Sequence, residues 1–260
     1  MIDPTIVGGF TALMVFVGIL GFLELGRYFG KRAISRHGEA GLPSTQSLET
    51  AVFALLGLMI AFTFSGALSR FDLRRAQVVD EANAMGTAYL RIDLLPPAAQ
   101  PGMRAALRSY VDARIETYRV LPDMKAASAS LARSQALQAD VWAQATAACR
   151  SADIDPGVTV LTMTALNQMF DLATTRLAAS QMHPPWIIYG MLAALALASA
   201  LLAGFQSAGA KAHAWVHQLG FAVMVAFTVY VILDMEFPRL GWIRLDAIDQ
   251  VLIGVRAGMK

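Results

Sequence analysis

The sequence predicts an all-α integral membrane protein with four transmembrane helices and a helical extramembrane insertion between the second and third. The first observation is four uncharged apolar runs, at residues 6–23, 51–68, 186–205 and 219–233. A bilayer core requires ~20 apolar residues of helix, longer than the fully apolar helices of soluble proteins. The second is composition, since charged residues make up only 15% of the chain, against roughly 25% in soluble domains. Both indicate lipid as the surrounding solvent.

The first run is predicted to be a retained span and not a secretory signal. A signal peptide carries positive charge before its apolar core and small cleavage-site residues after it. Here the basic residues follow the run: Arg27, Lys31, Arg32 and Arg36. Four glycines inside it are of the kind that permits close helix contact in membranes: Gly8, Gly9, Gly18 and Gly21.

The apolar runs divide the chain into four predicted segments. Residues 1–69 form the first transmembrane pair with a basic connecting loop, and residues 185–237 form the second pair. Residues 70–184 form the helical extramembrane domain, with helices expected at 103–121, 126–149 and 158–182. Residues 238–260 form a short amphipathic tail. The fourth span reaches full length only if it extends back to residue 214 and includes His217.

The second span is expected to continue into water as one long helix, because its helical pattern does not stop at the end of the apolar run. Apolar residues recur at spacings of three and four, as in a heptad seam, until Pro96 and Pro97 end the helix. The seam consists of Val78, Ala82, Met85, Tyr89 and Ile92.

Charge in the short loops bears on orientation. The positive-inside rule weighs short loops most strongly, and the loops after the first and third spans carry five basic residues including Lys211. This favours termini and insertion on the outer side of a bacterial inner membrane.

Signatures of an enzyme, a cofactor site or nucleic-acid binding are absent from the sequence. There is no phosphate-binding loop, nucleophile elbow or His-Glu-x-x-His pair, and the net charge of +2 is too small to indicate nucleic acid. Cys149 is the only cysteine. His213 and His217 have helical i,i+4 spacing but no neighbouring carboxylate or thiol in sequence. We therefore predict no catalytic residues, no cofactor and no metal site.

The ionisable residues near the ends of the spans have two possible roles, one structural and one functional. They are Glu24, His217, Asp234 and Glu236. Charge at membrane depth is costly, so such groups either pair or snorkel at the interface, or line an ion pathway. Topology places Glu24 and His217 at the same membrane face. An intramembrane enzyme would need a carboxylate and a histidine close together, and this is the one pair that could supply them.

The last third of the second span mixes hydroxyl, aromatic and basic residues. This mixture favours helix packing, and the alternative is a narrow pore with an aromatic constriction and a charged mouth. The candidate pore-lining or mouth residues are Phe62, Thr63, Ser65, Ser69, Arg70 and Arg74, with Arg75 beside them.

Several segments resemble the bestrophin-like family of bacterial four-span membrane proteins, whose function is unassigned. They are AFTFSGALSRFDLRR at 61–75 and VDEANAMGTAYLRIDLLP at 79–96, with shorter matches at 107–114, 166–176 and 233–241. The Glu-Ala-Asn block at 81–83 is specific to the family. The resemblance implies similarity to bestrophins, which are pentameric anion channels with a helical domain after the second span. The chain departs from them in having a smaller insertion and no evident calcium-binding acidic cluster.

Two functional hypotheses follow. In the first, the chain is a homo-oligomeric channel-like protein whose second span lines an anion-leaning pore, with the heptad seam making contacts between subunits and an inorganic anion as the conducted partner. In the second, it is a non-conducting, membrane-anchored sensory or scaffolding module that binds a partner through a polar row on the helix predicted at 103–121. That row consists of Arg104, Arg108, Asp112 and Glu116.

Overall fold

The computed structural model describes residues 4–38, 46–151, 154–209, 215–239 and 241–260. Within these ranges the structure is helical and contains no β-strand, so the all-α prediction is confirmed. Part of the basic loop, together with Lys211 and His213, lies outside the described residues. The helices are α1 (Pro4–His37), α2 (Gln46–Arg91), α3 (Gln100–Arg119), α4 (Met124–Cys149), α5 (Pro156–Gln181), α6 (Trp186–Gln206), α7 (Trp215–Glu236) and α8 (Asp246–Gly258).

Four helical stretches of the described chain are long and apolar enough to cross a membrane. They are Gly8–Arg36, Ser47–Leu94, Pro156–Gly209 and Trp215–Glu236, and each overlaps one predicted apolar run. Large apolar side chains on them are exposed in the single chain, as at Phe10 (61%), Ile187 (76%) and Met224 (65%). Such exposure is stable only against hydrocarbon or a protein partner. The chain is a multi-pass membrane protein, as predicted.

The chain forms two compact units. The apolar unit comprises Met1–Arg70 and His183–Phe237, and the polar unit comprises Phe71–Met182 and Pro238–Lys260. Helix α2 contributes its first half to the apolar unit and its second half to the polar unit.

In the apolar unit, helices α1 and α6 pack with their backbones in contact. A Cβ atom on Gly26 would overlap the carbonyl oxygen of Leu201, and one on Gly204 would overlap the carbonyl oxygen of Leu23. Glycine permits this approach because lipid-embedded helices associate through close packing and not through hydrophobic burial. The contact therefore depends on residues with no side chain.

The helix directions agree with four crossings of a bilayer. Gly18 lies beside Leu197 and Gly30 beside Ala208, so α1 and α6 run parallel. Helices α2 and α7 also run parallel. Phe53 contacts Phe221 near the start of each helix, and Arg70, further along α2, pairs with Glu236 at the end of α7. First and third spans, and second and fourth spans, thus point the same way.

In the polar unit, local sequence explains where helices begin. Asp123 caps α4, its carboxylate accepting from the backbone N–H groups of Lys125 and Ala126 at 3.0 Å. Asp155 caps α5 by accepting from the N–H of Gly157 at 2.6 Å, and Pro156 occupies the first helical position, where no N–H is needed.

The second half of α2 packs into the core of the polar unit itself. The five seam residues are between 0% and 6% exposed: Val78, Ala82, Met85, Tyr89 and Ile92. They share one core with residues of α3, α5 and the tail helix α8, where Leu252 is 1% exposed. The seam is therefore used within one chain, and it does not remain available for the contacts between subunits that the channel hypothesis assigned to it.

Candidate pore-lining helix and its charged contacts

One side of α2 in the apolar unit carries a stripe of alanine and serine residues with one leucine among them. At about 100° per residue, its members fall within an arc of roughly 80°. All are exposed in the single chain; we call Ala54, Leu58, Ala61, Ser65 and Ser69 the small-residue stripe. Bulkier exposed residues flank it on both sides: Leu55 and Phe62 on one, Phe64 and Leu68 on the other.

The structure separates the six sequence-predicted pore residues into three groups. Ser65 and Ser69 belong to the small-residue stripe, and Phe62, which is 67% exposed, lies at its edge. Thr63 points elsewhere, and its hydroxyl donates to the carbonyl oxygens of Met59 and Ile60 at 2.8 and 3.0 Å, the usual way a span satisfies a threonine.

The remaining two predicted residues, Arg70 and Arg74, are engaged by the protein. Arg74 is 6% exposed, and its guanidinium donates to the carbonyl oxygens of Ala179 and Met182 at the end of α5, at 3.2 and 2.9 Å. Because these carbonyls have no further helical turn to accept from, Arg74 provides a cap for α5.

Arg70 is part of an ion-paired junction in the apolar unit. Its Nε donates to both carboxylate oxygens of Glu236, at 2.9 and 3.2 Å, and Glu236 is 1% exposed. The Nδ1 of His183 lies 3.6 Å from Glu236 Oε2, and the His183 ring stacks on Phe237 with centroids 4.5 Å apart. The carboxylate therefore links the last residue of α2 that belongs to the apolar unit with the end of α7 and with the segment that precedes α6.

The other predicted ionisable residues are dispersed. Asp234 is 6% exposed and accepts a hydrogen bond from Tyr230 at 3.4 Å, one helical turn away. Glu24 and His217 are exposed at the opposite end of the apolar unit. Among the described residues no group of histidine, cysteine and carboxylate side chains could hold a metal ion; His213 lies outside them.

A buried charge network in the polar unit is absent from the sequence predictions. Glu81 on α2 is 0% exposed and accepts from Arg114 Nε on α3 at 2.7 Å and from Arg176 Nη1 on α5 at 2.6 Å. Arg176 also donates to Asp249 of α8 at 3.1 Å, and Asp249 receives two bonds from Arg239, at 2.6 and 2.9 Å. We call these five residues the Glu81 network.

The ring of Tyr118 completes the network. The guanidinium carbons of Arg176, Arg239 and Arg114 lie 3.8, 4.6 and 5.4 Å from its centroid. Guanidinium groups are attracted to an aromatic face and are weakly hydrated, so three can share one ring at a tolerable desolvation cost.

The network decides the ionisation of its central acid. Burial alone would raise the pKa of Glu81, but the charges of Arg114 and Arg176 and their hydrogen bonds outweigh it and hold that pKa below its ordinary value. Glu81 is therefore a carboxylate at neutral pH, and the two arginines depend on it for charge balance.

Three of the four residues in the polar row proposed for partner binding are ion-paired within the polar unit. Arg104 pairs with Asp93, Asp112 receives two bonds from Arg256 at 2.7 and 2.9 Å, and Glu116 pairs with its helix neighbour Arg119. Asp112 thus helps to hold the tail helix α8 against α3.

Comparison with known proteins agrees with this architecture. The Bestrophin-like domain profile matches residues 17–246. Crystal structures of a bacterial bestrophin homologue from Klebsiella pneumoniae share the fold. One single-site variant has a TM-score of 0.65 at 12% identity over 95% of this chain and 99% of the homologue, and another has 0.66 at 13% over 95% and 98%. The structure phased with zinc has a TM-score of 0.63 at 12% identity over 93% and 98%.

No curated protein sequence matches the chain significantly. The structural likeness, at this identity, concerns the fold alone, whereas the domain profile spans most of the chain. The chain belongs to the Bestrophin-like family.

Proposed function

We propose that the chain is the subunit of a homo-oligomeric ion channel whose α2 helices surround the conducting path, with the small-residue stripe facing that path. The observation that carries the proposal is the stripe itself. A helix that faced only lipid would gain nothing from serines and alanines along one exposed side, whereas a pore requires narrow, hydrogen-bonding surface there. Ser65 and Ser69 would supply the hydroxyl groups.

The flanks of the stripe support an oligomer. Leu55 and Phe62 are 49% and 67% exposed on one side, and Phe64 and Leu68 are 38% and 41% exposed on the other. In a ring of identical subunits each α2 meets a neighbour on either flank, so these side chains would be buried against a second copy while the stripe stays open. The stability of the ring would come from the flanks, and conduction from the stripe.

The proposed anion preference rests on charge at the end of the stripe. Residues 70–75 include three arginines and one aspartate. Two of the arginines are held by the protein, but Arg75 has a side chain that is 53% exposed, 3.4 Å from Asp72, which is 59% exposed. An exposed arginine at a pore mouth raises the local anion concentration, and Asp72 beside it opposes that effect.

Planar-bilayer recording of purified, oligomeric protein tests the proposal. We expect a current whose reversal potential in a KCl gradient lies closer to the equilibrium potential of chloride than to that of potassium. Arg75→Glu should lower the chloride-to-potassium permeability ratio by roughly three- to sevenfold, the effect of a one to two kT change in potential, and Asp72→Asn should raise it.

Arg133→Glu provides the matched control, because Arg133 is exposed on α4 in the polar unit. It makes the same charge change on a different helix from the proposed mouth, and we expect it to leave the ratio unchanged. Silent bilayers with intact oligomer, or an equal shift in the control, would contradict the proposal. Silence combined with a stoichiometric second protein would favour the scaffolding hypothesis instead.

A further inference from the structure

We propose that the last three turns of α1 bind the headgroups of anionic phospholipids. The binding surface, which we call the α1 basic end, consists of Tyr28, Lys31, Arg32 and Arg36. All four are exposed. The side of α1 that packs against α6 is a different one, marked by Gly26 and Gly30, so the basic end lies on the surface of the apolar unit.

The chemistry of this exposed side changes abruptly along the helix. Large apolar side chains face outward up to Phe29, with Phe22, Leu25 and Phe29 exposed by 36%, 41% and 47%. Within the next turn the exposed side chains become basic, at Lys31 and Arg32. An apolar surface of this kind is solvated by acyl chains, so the depth at which hydrocarbon ends is set near Phe29.

The basic residues reach the depth of the headgroups. Arg36 lies seven residues beyond Phe29, or about 10 Å along a helix at 1.5 Å per residue. The polar layer on each side of the hydrocarbon core is roughly 5–8 Å thick, so Lys31 through Arg36 span it. Tyr28 marks the boundary, with its hydroxyl 3.4 Å from Arg32 Nη1, the arrangement expected of an interfacial tyrosine.

Charge identifies the headgroup as anionic. Helix α1 contains four basic residues and one acid, Glu24. Within the described part of the chain, no ion pair neutralises Lys31, Arg32 or Arg36. Guanidinium groups bind phosphate oxygens in bidentate fashion. An anionic phospholipid can contact both parts of this surface, because its phosphodiester meets the basic side chains while its acyl chains lie along Leu25 and Phe22. A free anion can contact only the basic side chains.

Native mass spectrometry of the detergent-solubilised protein tests the proposal, with phosphatidylglycerol and phosphatidylcholine of identical acyl chains as probes. We expect the wild type to bind phosphatidylglycerol preferentially. Each basic side chain near an anionic surface is worth about a fivefold change in binding. Lys31→Gln, Arg32→Gln and Arg36→Gln together should therefore lower phosphatidylglycerol affinity by about a hundredfold and leave phosphatidylcholine binding unchanged.

The matched control removes the same charges from the polar unit, as Lys125→Gln, Arg133→Gln and Arg150→Gln, all of which are exposed. This variant should still prefer phosphatidylglycerol to phosphatidylcholine. Such a result would show that the lost affinity of the first triple variant does not come from the lower net charge of the protein. Equal binding of the two lipids by the wild type, or equal losses in the two triple variants, would overturn the proposal. Displacement of the bound lipid by inorganic phosphate alone would also overturn it.

Discussion

Replacing Glu81 by glutamine is expected to destabilise the polar unit by about 3–5 kcal/mol, because removal of one partner leaves other buried charges without compensation. Glu81 is 0% exposed and is the carboxylate shared by Arg114 and Arg176, which are 2% and 4% exposed. Glutamine keeps the shape but offers one carbonyl oxygen in place of two charged ones. Circular dichroism or tryptophan fluorescence during denaturation measures the effect, since Trp142 lies in this unit.

Glu116→Gln is the control for this substitution. Its partner Arg119 lies on the same helix, and both side chains are exposed to solvent. Screening makes such pairs nearly neutral, so the midpoint of unfolding should not move. Equal behaviour of the two variants would mean that the Glu81 network does not hold the polar unit together.

The same network gives the stability of the polar unit a predictable response to acid. The pKa of Glu81 is held below its reference value of 4.5 by Arg114 and Arg176. Its contribution is therefore fully present above pH 4.5 and is lost as the pH falls through the depressed folded-state pKa. The stability difference between wild type and Glu81→Gln should accordingly be constant near neutrality and shrink on acidification below that value.

Gly26→Ala is expected to separate α1 from α6 and to lower the thermal stability of the apolar unit. A methyl group there would overlap the carbonyl oxygen of Leu201, and backbone cannot move aside as a flexible side chain would. Overpacking of this kind costs about 1–3 kcal/mol or more. Fluorescence-detected size exclusion after heating, in detergent, measures the loss.

Gly21→Ala is the matched control, since nothing lies within 4 Å of the position its Cβ would take. Alanine also restricts the unfolded chain and favours helix, so this variant should lie within about 1 kcal/mol of the wild type, on the stabilising side. If Gly26→Ala proved as stable as Gly21→Ala, the close contact of α1 and α6 would be refuted.

The four spans could be predicted from sequence because lipid exposure leaves an unbroken apolar run, which is a local signal. The glycine contact could not. The sequence prediction concerned Gly8, Gly9, Gly18 and Gly21, but the backbone contact uses Gly26 and Gly204. Gly26 lies after the apolar run, next to the basic residues, where helix packing was not expected; whether a glycine meets another helix depends on the neighbour's position.

The Glu81 network escaped sequence analysis because its members are far apart in the chain. Glu81 is separated by 33 residues from Arg114 and by 95 from Arg176. A local signal existed nonetheless. Arg114 falls four residues after Tyr110 and Arg176 seven after Met169, on the apolar sides of their helices. A charge in the register of a buried stripe requires a partner, and this reasoning would have identified the arginines, although not which acid they share.

Accessibility of single cysteines along α2 tests the central claim most directly. The natural sequence has one cysteine, so Cys149→Ala provides a clean background. With the oligomer in liposomes, a water-soluble thiol reagent should modify cysteines at Leu58, Ala61, Ser65 and Ser69 and block current, whereas cysteines at Phe64 and Leu68 should react slowly. Reaction at the flanks as fast as along the small-residue stripe, or no reaction at Ser65 and Ser69, would contradict a water-filled path along this helix.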